Sequence, residues 1–368
     1  MRSFLLQQYQ QCREYTITLV QTLFDGHQPQ WFYTQIHPSF SPIGWHLGHI
    51  IYTQELWLLR KTAGYPPVHG QEYDRLFAAD GLPKAQRQCL PSFEWLVDYG
   101  QTVAEKICHY WHSLNLWEMQ QQEKLWYWVI QHECQHYETI YFLLHLAGMV
   151  APAPALLISP DPASAPLHVP SGSVLMGSNS IWAMDNESSP HQIDIPEFTI
   201  DRAPVCRSQF QEFITAGGYS QPALWTEAGW QWVQTHQIQA PQYWSYLSND
   251  RSIVYGLSWY EAHAYSQFVG KQLPSEAQWE KACQTYPHLA QEFLGVVWQW
   301  TRSYFSAYPD FCPYPYQGYS SSYFDDRHMV LRGGSWVTLP WVLRPSFRNW
   351  YTPDTRVILA GLRCVQCH

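Results

Sequence analysis

Two histidines four residues apart lie in an apolar stretch of this sequence. Residues 131–136 read Gln-His-Glu-Cys-Gln-His inside a run from 126 to 146 that contains no Pro or Gly. The run therefore has the length and composition of a helix. Residues i and i+4 share one face of a helix, so the imidazoles of His132 and His136 can reach the same metal ion.

A second pair of histidines, His46 and His49, opens another apolar stretch, which we predict to be a helix that runs to about Leu59. Ser41 and Pro42 precede it, and Pro is favourable in a first helical turn because its missing N–H would have no partner there. Three imidazoles from two packed helices would form a metal site with open positions, which suits catalysis better than a closed structural site.

Two other interpretations of the His pair stay open at this point. A chance pair could simply be packed in the core. The letters also spell His-Glu-x-x-His, the zinc-peptidase signature in which Glu133 would be the general base. That signature needs a third ligand further along, but residues 139–184 contain no Glu and offer only His145, Asp161 and His168.

Composition limits the class of protein and its partners. The 368 residues are 46% hydrophobic and only 14% charged, which indicates about two well-buried domains. A net charge of −9 without basic runs argues against a nucleic-acid or anionic-membrane partner. No stretch reaches the ~20 apolar residues of a membrane span, and the N-terminus turns polar too soon for a signal peptide. Nine scattered cysteines favour a reducing, cytoplasmic location.

Aromatic residues are unusually frequent, with 20 Trp, 25 Tyr and 16 Phe. They could pack an irregular fold that has little regular helix or sheet. They could also line a pocket for a cationic or planar ligand, because aromatic faces attract cations. Composition does not separate these explanations.

The chain divides into two regions by pattern. Residues 1–150 predict four helices, at about 15–24, 42–59, 93–114 and 126–146, and hence an antiparallel bundle whose facing side chains can build a metal site. Residues 151–166 are rich in Pro, Ala and Ser and predict a linker. Residues 167–368 predict a loop-rich α+β domain with helices at about 208–216, 259–270 and 275–282.

Short motifs follow one another in a fixed order through the C-terminal region. They include Ser-Val-Leu-Met-Gly-Ser at 173–178, Asp-Asn-Glu-Ser-Ser-Pro-His at 185–191, Trp-Tyr-Glu-Ala-His-Ala at 259–264, Leu-Pro-Ser-Glu-Ala-Gln-Trp-Glu at 273–280, Val-Trp-Gln-Trp-Thr at 297–301 and Leu-Arg-Gly-Gly-Ser-Trp at 331–336. This series resembles the formylglycine-generating-enzyme (sulfatase-modifying-factor) fold, a C-type-lectin-like α+β domain. The bundle is similar to DinB-type domains, and the fusion of the two resembles the iron(II) sulfoxide synthases of ergothioneine biosynthesis.

The resemblance implies a non-haem iron enzyme that uses O₂ to join a cysteine-type thiol to the imidazole C2 of hercynine, which is N-α-trimethylhistidine. It implies His49, His132 and His136 as ligands of Fe²⁺, with His46 as a neighbour, and Gln135 as a partner of the substrate imidazole. Neutral imidazoles suit Fe(II), and three of them leave positions for other ligands.

The resemblance also implies substrate contacts in the C-terminal domain. Asn349 and Trp350 match a pair that contacts the trimethylammonium-carboxylate end of hercynine. Tyr316 matches the catalytic acid, and Tyr319 matches a tyrosine that lines the substrate. A phenol can transfer a proton at hydrogen-bond distance.

The sequence departs from the family in the pocket of the second substrate. Lys84 and Arg87 fall where two arginines pair with the carboxylates of the thiol substrate, but Lys84 lacks the planar fork of Arg. Tyr351 stands where the family often has an Asp that contacts the amino group. These changes argue against γ-glutamylcysteine and favour free cysteine, or a selenium donor such as a selenosugar, as in the related selenoneine synthases.

Three further classes of function remain open. A DinB-type bundle with three histidines can also serve a zinc-dependent thiol transferase. The C-terminal domain could be a copper-dependent formylglycine generator that uses Cys312, Cys364 or Cys367, although the histidines would then have no task. The chain could also be a binding module without catalysis, since fold similarity alone does not give function.

Overall fold

The computed structural model describes residues 2–70, 72–150, 157, 159 and 164–367. The chain forms two compact units, Met1–Ala151 and Pro152–His368. Most of the predicted linker, namely residues 151–156, 158 and 160–163, lies outside the described residues. Within the described part of the chain, none of the helices is both long enough and apolar enough to cross a membrane.

The first unit is helical. Its helices are α1 (Arg2–Asp25), α2 (Gln30–Tyr33), α3 (Ile43–Gln54), α4 (Glu72–Phe77), α5 (Phe93–Ser113) and α6 (Leu116–Leu146). Helix α3 continues directly into a π-helical segment, Glu55–Thr62. The long helices α1, α3, α5 and α6 pack on one another, which confirms the predicted helical bundle.

Two helices begin earlier than their apolar pattern predicts. Helix α6 starts at Leu116 because Asn115 caps it: the Asn115 side chain accepts the N–H of Glu118, and the Glu118 carboxylate accepts the N–H of Asn115. The residues that follow, up to Lys124, are mostly polar helix formers, so they add helix without apolar periodicity. Helix α1 likewise starts at Arg2, through a Gln-rich first half.

Aromatic side chains fill the core of the first unit. Trp126 and Trp128 of α6 are almost fully buried. The Trp126 ring packs edge-on against Tyr9 of α1, with centroids 6.0 Å apart, and at a tilt of 58° against Trp111 of α5, with centroids 4.5 Å apart. Much of the aromatic excess in this unit is therefore packing, and each such contact adds to the stability gained from burial alone.

The second unit combines short helices with small sheets. Its helices are α7 (Arg207–Thr215), α8 (Glu227–His236), α9 (Trp259–Phe268), α10 (Glu276–Thr285) and α11 (Ala290–Phe293). Its strands are β1 (Leu167–Val169), β2 (Gly172–Met176), β3 (His191–Ile195), β4 (Phe198–Ile200), β5 (Trp298–Tyr304), β6 (Met329–Arg332), β7 (Asn349–Tyr351), β8 (Ala360–Gly361) and β9 (Val365–Cys367). The strand orders are β1-β4-β9, β2-β3 and β7-β6-β5-β8. The predicted loop-rich α+β domain is confirmed.

The helix starts of this unit follow side-chain caps. Ser258 with Glu261 caps α9, and Ser275 with Gln278 caps α10, as the sequence predicts. Helix α8 is missing from the prediction, although Thr226 caps it by accepting the N–H of Gly229. A glycine in its first turn weakens the helical signal.

Buried ion pairs hold the loops of the second unit in place. Arg332 is fully buried and donates to Glu280 at 2.5 Å, and Arg348, also fully buried, donates to Glu276 at 2.9 Å. Both acids lie on α10, and Arg332 lies at the end of β6, the strand that pairs with β7. The network therefore ties α10 to the sheet that carries Asn349, Trp350 and Tyr351.

Candidate metal centre

Three imidazoles meet inside the first unit. His132 and His136 lie one turn apart on α6, and His49 lies on the adjoining helix α3. The Nε2 atom of His132 is 3.3 Å from Nε2 of His49 and 3.2 Å from Nε2 of His136. Ligand atoms of the three residues, one from each, all lie within 4.8 Å of one another. The structure thus brings together the three predicted ligands.

The orientation of His49 is fixed on two sides. Its Nδ1 atom lies 2.6 Å from the backbone carbonyl of Phe77. A carbonyl can only accept, so Nδ1 carries the proton and Nε2 presents its lone pair to the other imidazoles. The ring also stacks on Trp45 at a centroid distance of 4.7 Å and an interplanar angle of 10°. The Arg87 guanidinium covers the Trp45 ring at 4.1 Å.

His132 and His136 have ring contacts of their own. The His132 ring stacks on Trp128 with centroids 5.0 Å apart and planes at 22°. The Nδ1 atom of His136 lies 2.9 Å from Nδ1 of His46, the other histidine of α3. Sequence reasoning gave His46 no role beyond that of a neighbour. Its position three residues before His49, on the face that packs against α6, was the signal that could have suggested one.

Burial keeps these imidazoles neutral. Removal from water lowers the pKa of His49 to about 4 and that of His46 to about 3. The same cause holds the pKa values of His132 and His136 well below the ordinary range. A neutral imidazole has one free lone pair, which is the form that binds a metal ion. Three such lone pairs at this spacing fit a divalent transition-metal ion with open coordination positions.

Glu133 does not belong to this centre. Both of its carboxylate oxygens are engaged elsewhere, because Arg13 Nε donates to Oε1 at 2.9 Å and Gln54 Nε2 donates to Oε2 at 2.6 Å. Tyr9 donates in turn to Gln54 Oε1 at 2.8 Å. The carboxylate is fully buried, so it cannot serve as the general base of a zinc peptidase.

The candidates for a third zinc ligand do not support the peptidase interpretation either. His168 is exposed on β1 and lies 3.5 Å from Glu197. Asp161 lies outside the described residues. His145 is buried near the end of α6, and the third imidazole that meets His132 and His136 is His49.

The remaining predicted residues of the first unit make hydrogen bonds to nearby protein groups. Gln135 precedes His136 on α6 and donates to the Gln131 carbonyl at 3.2 Å. Lys84 is exposed and donates to the Ser39 carbonyl at 2.6 Å. Arg87 is buried, and its guanidinium donates to Ser41 Oγ, the Leu82 carbonyl and the Ala79 carbonyl.

The second unit carries an aromatic cluster around Trp350. The Trp350 indole stacks on Phe305 with centroids 4.1 Å apart and planes at 8°. The rings of Tyr319 and Tyr323 lie 6.1 Å and 5.5 Å from it, and the Tyr316 ring lies 6.5 Å from that of Tyr319. Phe305 and Tyr323 were not predicted. Aromatic faces gathered in this way attract a quaternary ammonium group.

Strand pairing orients the start of β7. Asn349 Oδ1 accepts the backbone N–H of Trp350 at 2.9 Å. Asn349 pairs with Leu331 and Tyr351 pairs with Met329 across β6. Successive side chains of a strand point to opposite faces, so Trp350 faces away from both of its neighbours.

The loop that carries the predicted catalytic tyrosine is anchored by Asp185. This buried carboxylate accepts from Ser320 Oγ at 2.5 Å and from the N–H of Tyr314 at 3.3 Å. Asn186 donates to the same Ser320 hydroxyl at 3.0 Å. Asp185 thus holds residues on both sides of Tyr316. The motif at 185–191 was recognised in the sequence, but this role was not.

The cysteines of the second unit that could serve a formylglycine generator differ in exposure. Cys364 is buried, and burial raises the pKa of its thiol well above the usual value. Cys367 and Cys312 are exposed. A thiol that stays protonated is a poor ligand for copper, so this arrangement speaks against a formylglycine-generating site.

Comparison with known proteins assigns both units to families. Residues 8–140 match the DinB superfamily, and residues 157–287 and 287–367 match the sulfatase-modifying factor enzyme 1-like domain. The chain is 32% identical to the hercynine oxygenase of Mycolicibacterium smegmatis, over 95% of this chain and 96% of that protein. It is 32% identical to that of Mycobacterium tuberculosis, over 89% and 92%. Ergothioneine biosynthesis protein 1 of Neurospora crassa is 39% identical over 21% of this chain and 9% of its own length.

Proposed function

This chain belongs to the hercynine oxygenase family, and on that basis we propose that it is a non-haem iron(II), O₂-dependent oxidoreductase of ergothioneine biosynthesis. The proposed reaction joins the imidazole C2 of hercynine to the sulfur of a cysteine-type thiol. The C2–H and S–H hydrogens and one oxygen atom of O₂ leave as water, and the other oxygen atom becomes the sulfoxide oxygen. The four electrons lost by the carbon and sulfur atoms reduce O₂.

The convergence of His49, His132 and His136 is the observation that carries this proposal. His49 and His132 are buried and His136 is half-buried, burial lowers the pKa of all three imidazoles, and Nε2 of His132 lies close to Nε2 of both other residues. Iron(II) held by these nitrogens would supply the activation of O₂ and would bind the thiol sulfur as thiolate. The protein must therefore supply orientation, exclusion of water and a proton.

The residues of this chain divide these tasks. We assign Gln135 to the substrate imidazole and the aromatic cluster at Trp350 and Tyr319 to the trimethylammonium group, which cannot donate hydrogen bonds and so favours aromatic faces. Asn349 contacts the carboxylate end of hercynine. Tyr316 holds a proton at its phenol oxygen and donates it during the reaction.

The thiol donor is assigned from the chemistry of the residues that the family resemblance matches to it. Lys84 is a flexible point charge, Arg87 already donates to several groups of its own loop, and Tyr351 carries no charge. This set offers less to a second carboxylate than two free arginines would, and it offers no charge to an amino group where the family often has an Asp. We therefore propose free cysteine as the donor, with a selenium compound such as a selenosugar as the alternative.

One parallel assay tests the reaction and the donor. Metal-free protein is loaded anaerobically with Fe²⁺ and then given hercynine and O₂ with cysteine, γ-glutamylcysteine or a selenosugar, and the products are read by mass spectrometry. We expect a hercynine–cysteine sulfoxide that forms only with iron and O₂. Turnover with Zn²⁺ in the absence of O₂ would instead identify a thiol transferase and refute the proposal.

Replacement of the proposed acid tests its assignment. Tyr316→Phe removes only the phenol O–H, and a general acid contributes about 10²–10⁴-fold to a rate. We expect sulfoxide formation to slow by an amount in this range, while O₂ consumption through thiol oxidation continues. Tyr304→Phe, on an exposed tyrosine of β5, is the matched control. Equal rates for Tyr316→Phe and the parent would show that the acid lies elsewhere.

A further inference from the structure

His46 contacts a proposed metal ligand through a nitrogen–nitrogen hydrogen bond. The Nδ1 atoms of His46 and His136 lie 2.9 Å apart, and the two rings are tilted at 44° with centroids 5.1 Å apart. Two nitrogen atoms at this distance share a single proton, so one of them donates and the other accepts.

The direction of this hydrogen bond follows from the use of His136 as a ligand. Its Nε2 atom faces Nε2 of His132 at 3.2 Å and must present a lone pair to an ion held there. The only proton of the neutral ring then lies on Nδ1, and His46 Nδ1 must accept it. The proton of His46 consequently lies on its own Nε2 atom, which is buried, and the backbone of Ser41 is a further hydrogen-bonding neighbour of this ring.

His49 and His136 differ in how firmly their tautomers are fixed. The partner of His49 Nδ1 is the Phe77 carbonyl, which can only accept, so the tautomer of His49 is the same with or without metal. The partner of His136 is an imidazole nitrogen, which can either accept or donate. In the metal-free protein the shared proton can therefore sit on either ring, and an ion at His136 Nε2 selects one arrangement.

We infer that His46 is a positioning residue for the metal ligand His136, because its Nδ1 lone pair accepts the Nδ1–H of His136 and thereby directs the Nε2 lone pair of His136 toward the metal ion. This inference rests on the proposed metal site. Partners of this kind set the tautomer and ring orientation of a ligand, and their loss typically costs about 10–100-fold in metal affinity.

Binding of the metal alone measures this effect. Metal-free protein is titrated anaerobically with Fe²⁺, and separately with Co²⁺, against a chromophoric chelator. His46→Phe keeps an aromatic ring but removes the acceptor, and we expect its affinity to fall about 10–100-fold. His46→Asn places an amide oxygen close to the position of Nδ1, and we expect its affinity to stay near that of the parent. His145→Phe, which removes another buried histidine of this unit, is the matched control.

A spectroscopic measurement separates positioning from mere packing. The ¹⁵N shifts of histidine-labelled protein loaded with Zn²⁺ report which ring nitrogens carry protons. We expect Nδ1 of His136 to be protonated and Nδ1 of His46 to be unprotonated. An unprotonated His136 Nδ1 in the loaded protein would overturn the inference, and so would equal affinities of His46→Phe and the parent.

The outcomes also separate this inference from the proposed metal site itself. If the parent protein binds neither Fe²⁺ nor Co²⁺, the metal site fails and the inference fails with it. If the parent binds metal and His46→Phe does so equally well, only the inference fails. Should His46→Phe not fold, the affinity of His46→Asn and the ¹⁵N shifts of the parent decide the question.

Discussion

Two faces of helix α6 carry polar side chains that differ in their hydrogen-bond partners. We call them the carboxylate face, which carries Glu133, and the imidazole face, which carries His132 and His136. On one face, the Glu133 carboxylate is bonded to Arg13 and Gln54, and Tyr9 bonds to Gln54. On the other face, Nε2 of His132 lies 3.3 Å from Nε2 of His49 and 3.2 Å from Nε2 of His136, so ring nitrogen atoms face one another. The hydrogen bonds of the first set are made within the protein, whereas the second set could hold a cation.

Adjacent residues of α6 can have different roles because they lie on different faces of the helix. His132 and Glu133 differ by one position, and consecutive helical residues point about 100° apart. Glu133 therefore faces α1 and contributes to the stability of the bundle, while His132 faces His49 of α3. A buried polar group that has its hydrogen-bond partners within the protein indicates a structural role. A buried group whose lone pair faces other lone pairs indicates a binding site for a ligand, because an unpaired buried polar group is costly.

The largest expected effect is on the imidazole face. His132→Ala removes the nitrogen that lies within 3.3 Å of the nitrogen atoms of both other ligands. We expect this variant to lose stoichiometric iron binding and sulfoxide formation while it keeps the helical circular dichroism of the parent. Iron content is measured after anaerobic loading and desalting. Full iron content in the folded variant would show that the three histidines are not the metal site.

On the carboxylate face, we expect a substitution to lower the free energy of unfolding and to leave metal binding unchanged. Glu133→Ala leaves Arg13 buried without its partner, which costs about 3–5 kcal/mol of unfolding free energy. We expect denaturant unfolding to show this loss, with iron content per folded molecule unchanged.

Two further variants at this ion pair serve as controls. The double variant Arg13→Met with Glu133→Leu should recover much of the stability, because no charge is left unpaired. Glu133→Gln should retain activity. If it folds and binds metal but is inactive, Glu133 acts in catalysis and the distinction between the two faces is wrong.

These two faces also show what sequence can and cannot predict. The spacing of His132 and His136 predicted their shared face, and capping residues such as Ser258 and Ser275 predicted helix starts in the second unit. The partners of the side chains were not predictable in the same way. Glu133 pairs with Arg13 from 120 residues away, and the carbonyl that orients His49 belongs to Phe77, where any residue would supply it.

The pH dependence of stability tests the neutrality of the imidazole face. The pKa of His49 is about 4 in the folded protein, against about 6.5 in the unfolded chain. Between these values the unfolded chain binds a proton that the native imidazole does not, so metal-free protein loses stability as the pH falls from about 6.5 to 4. Each imidazole that stays neutral in this way contributes about 1.4 kcal/mol of unfolding free energy per pH unit to this slope. We expect His49→Phe to reduce the slope by about this amount, as measured by urea unfolding at a series of pH values. An unchanged slope would mean that His49 is not held neutral by burial.

The smallest expected effect separates the two faces most cleanly. Tyr9→Phe removes one hydrogen bond to Gln54, the residue that donates to the Glu133 carboxylate. It keeps the ring that packs on Trp126. A buried hydrogen bond contributes about 0.5–1.5 kcal/mol, so urea unfolding should show a loss in that range. Metal affinity should equal that of the parent, because the Tyr9 hydroxyl donates its proton to Gln54 and Arg13 still donates to Gln54 in the variant. A change in Fe²⁺ affinity without a change in stability would show that the two faces of α6 are coupled rather than independent.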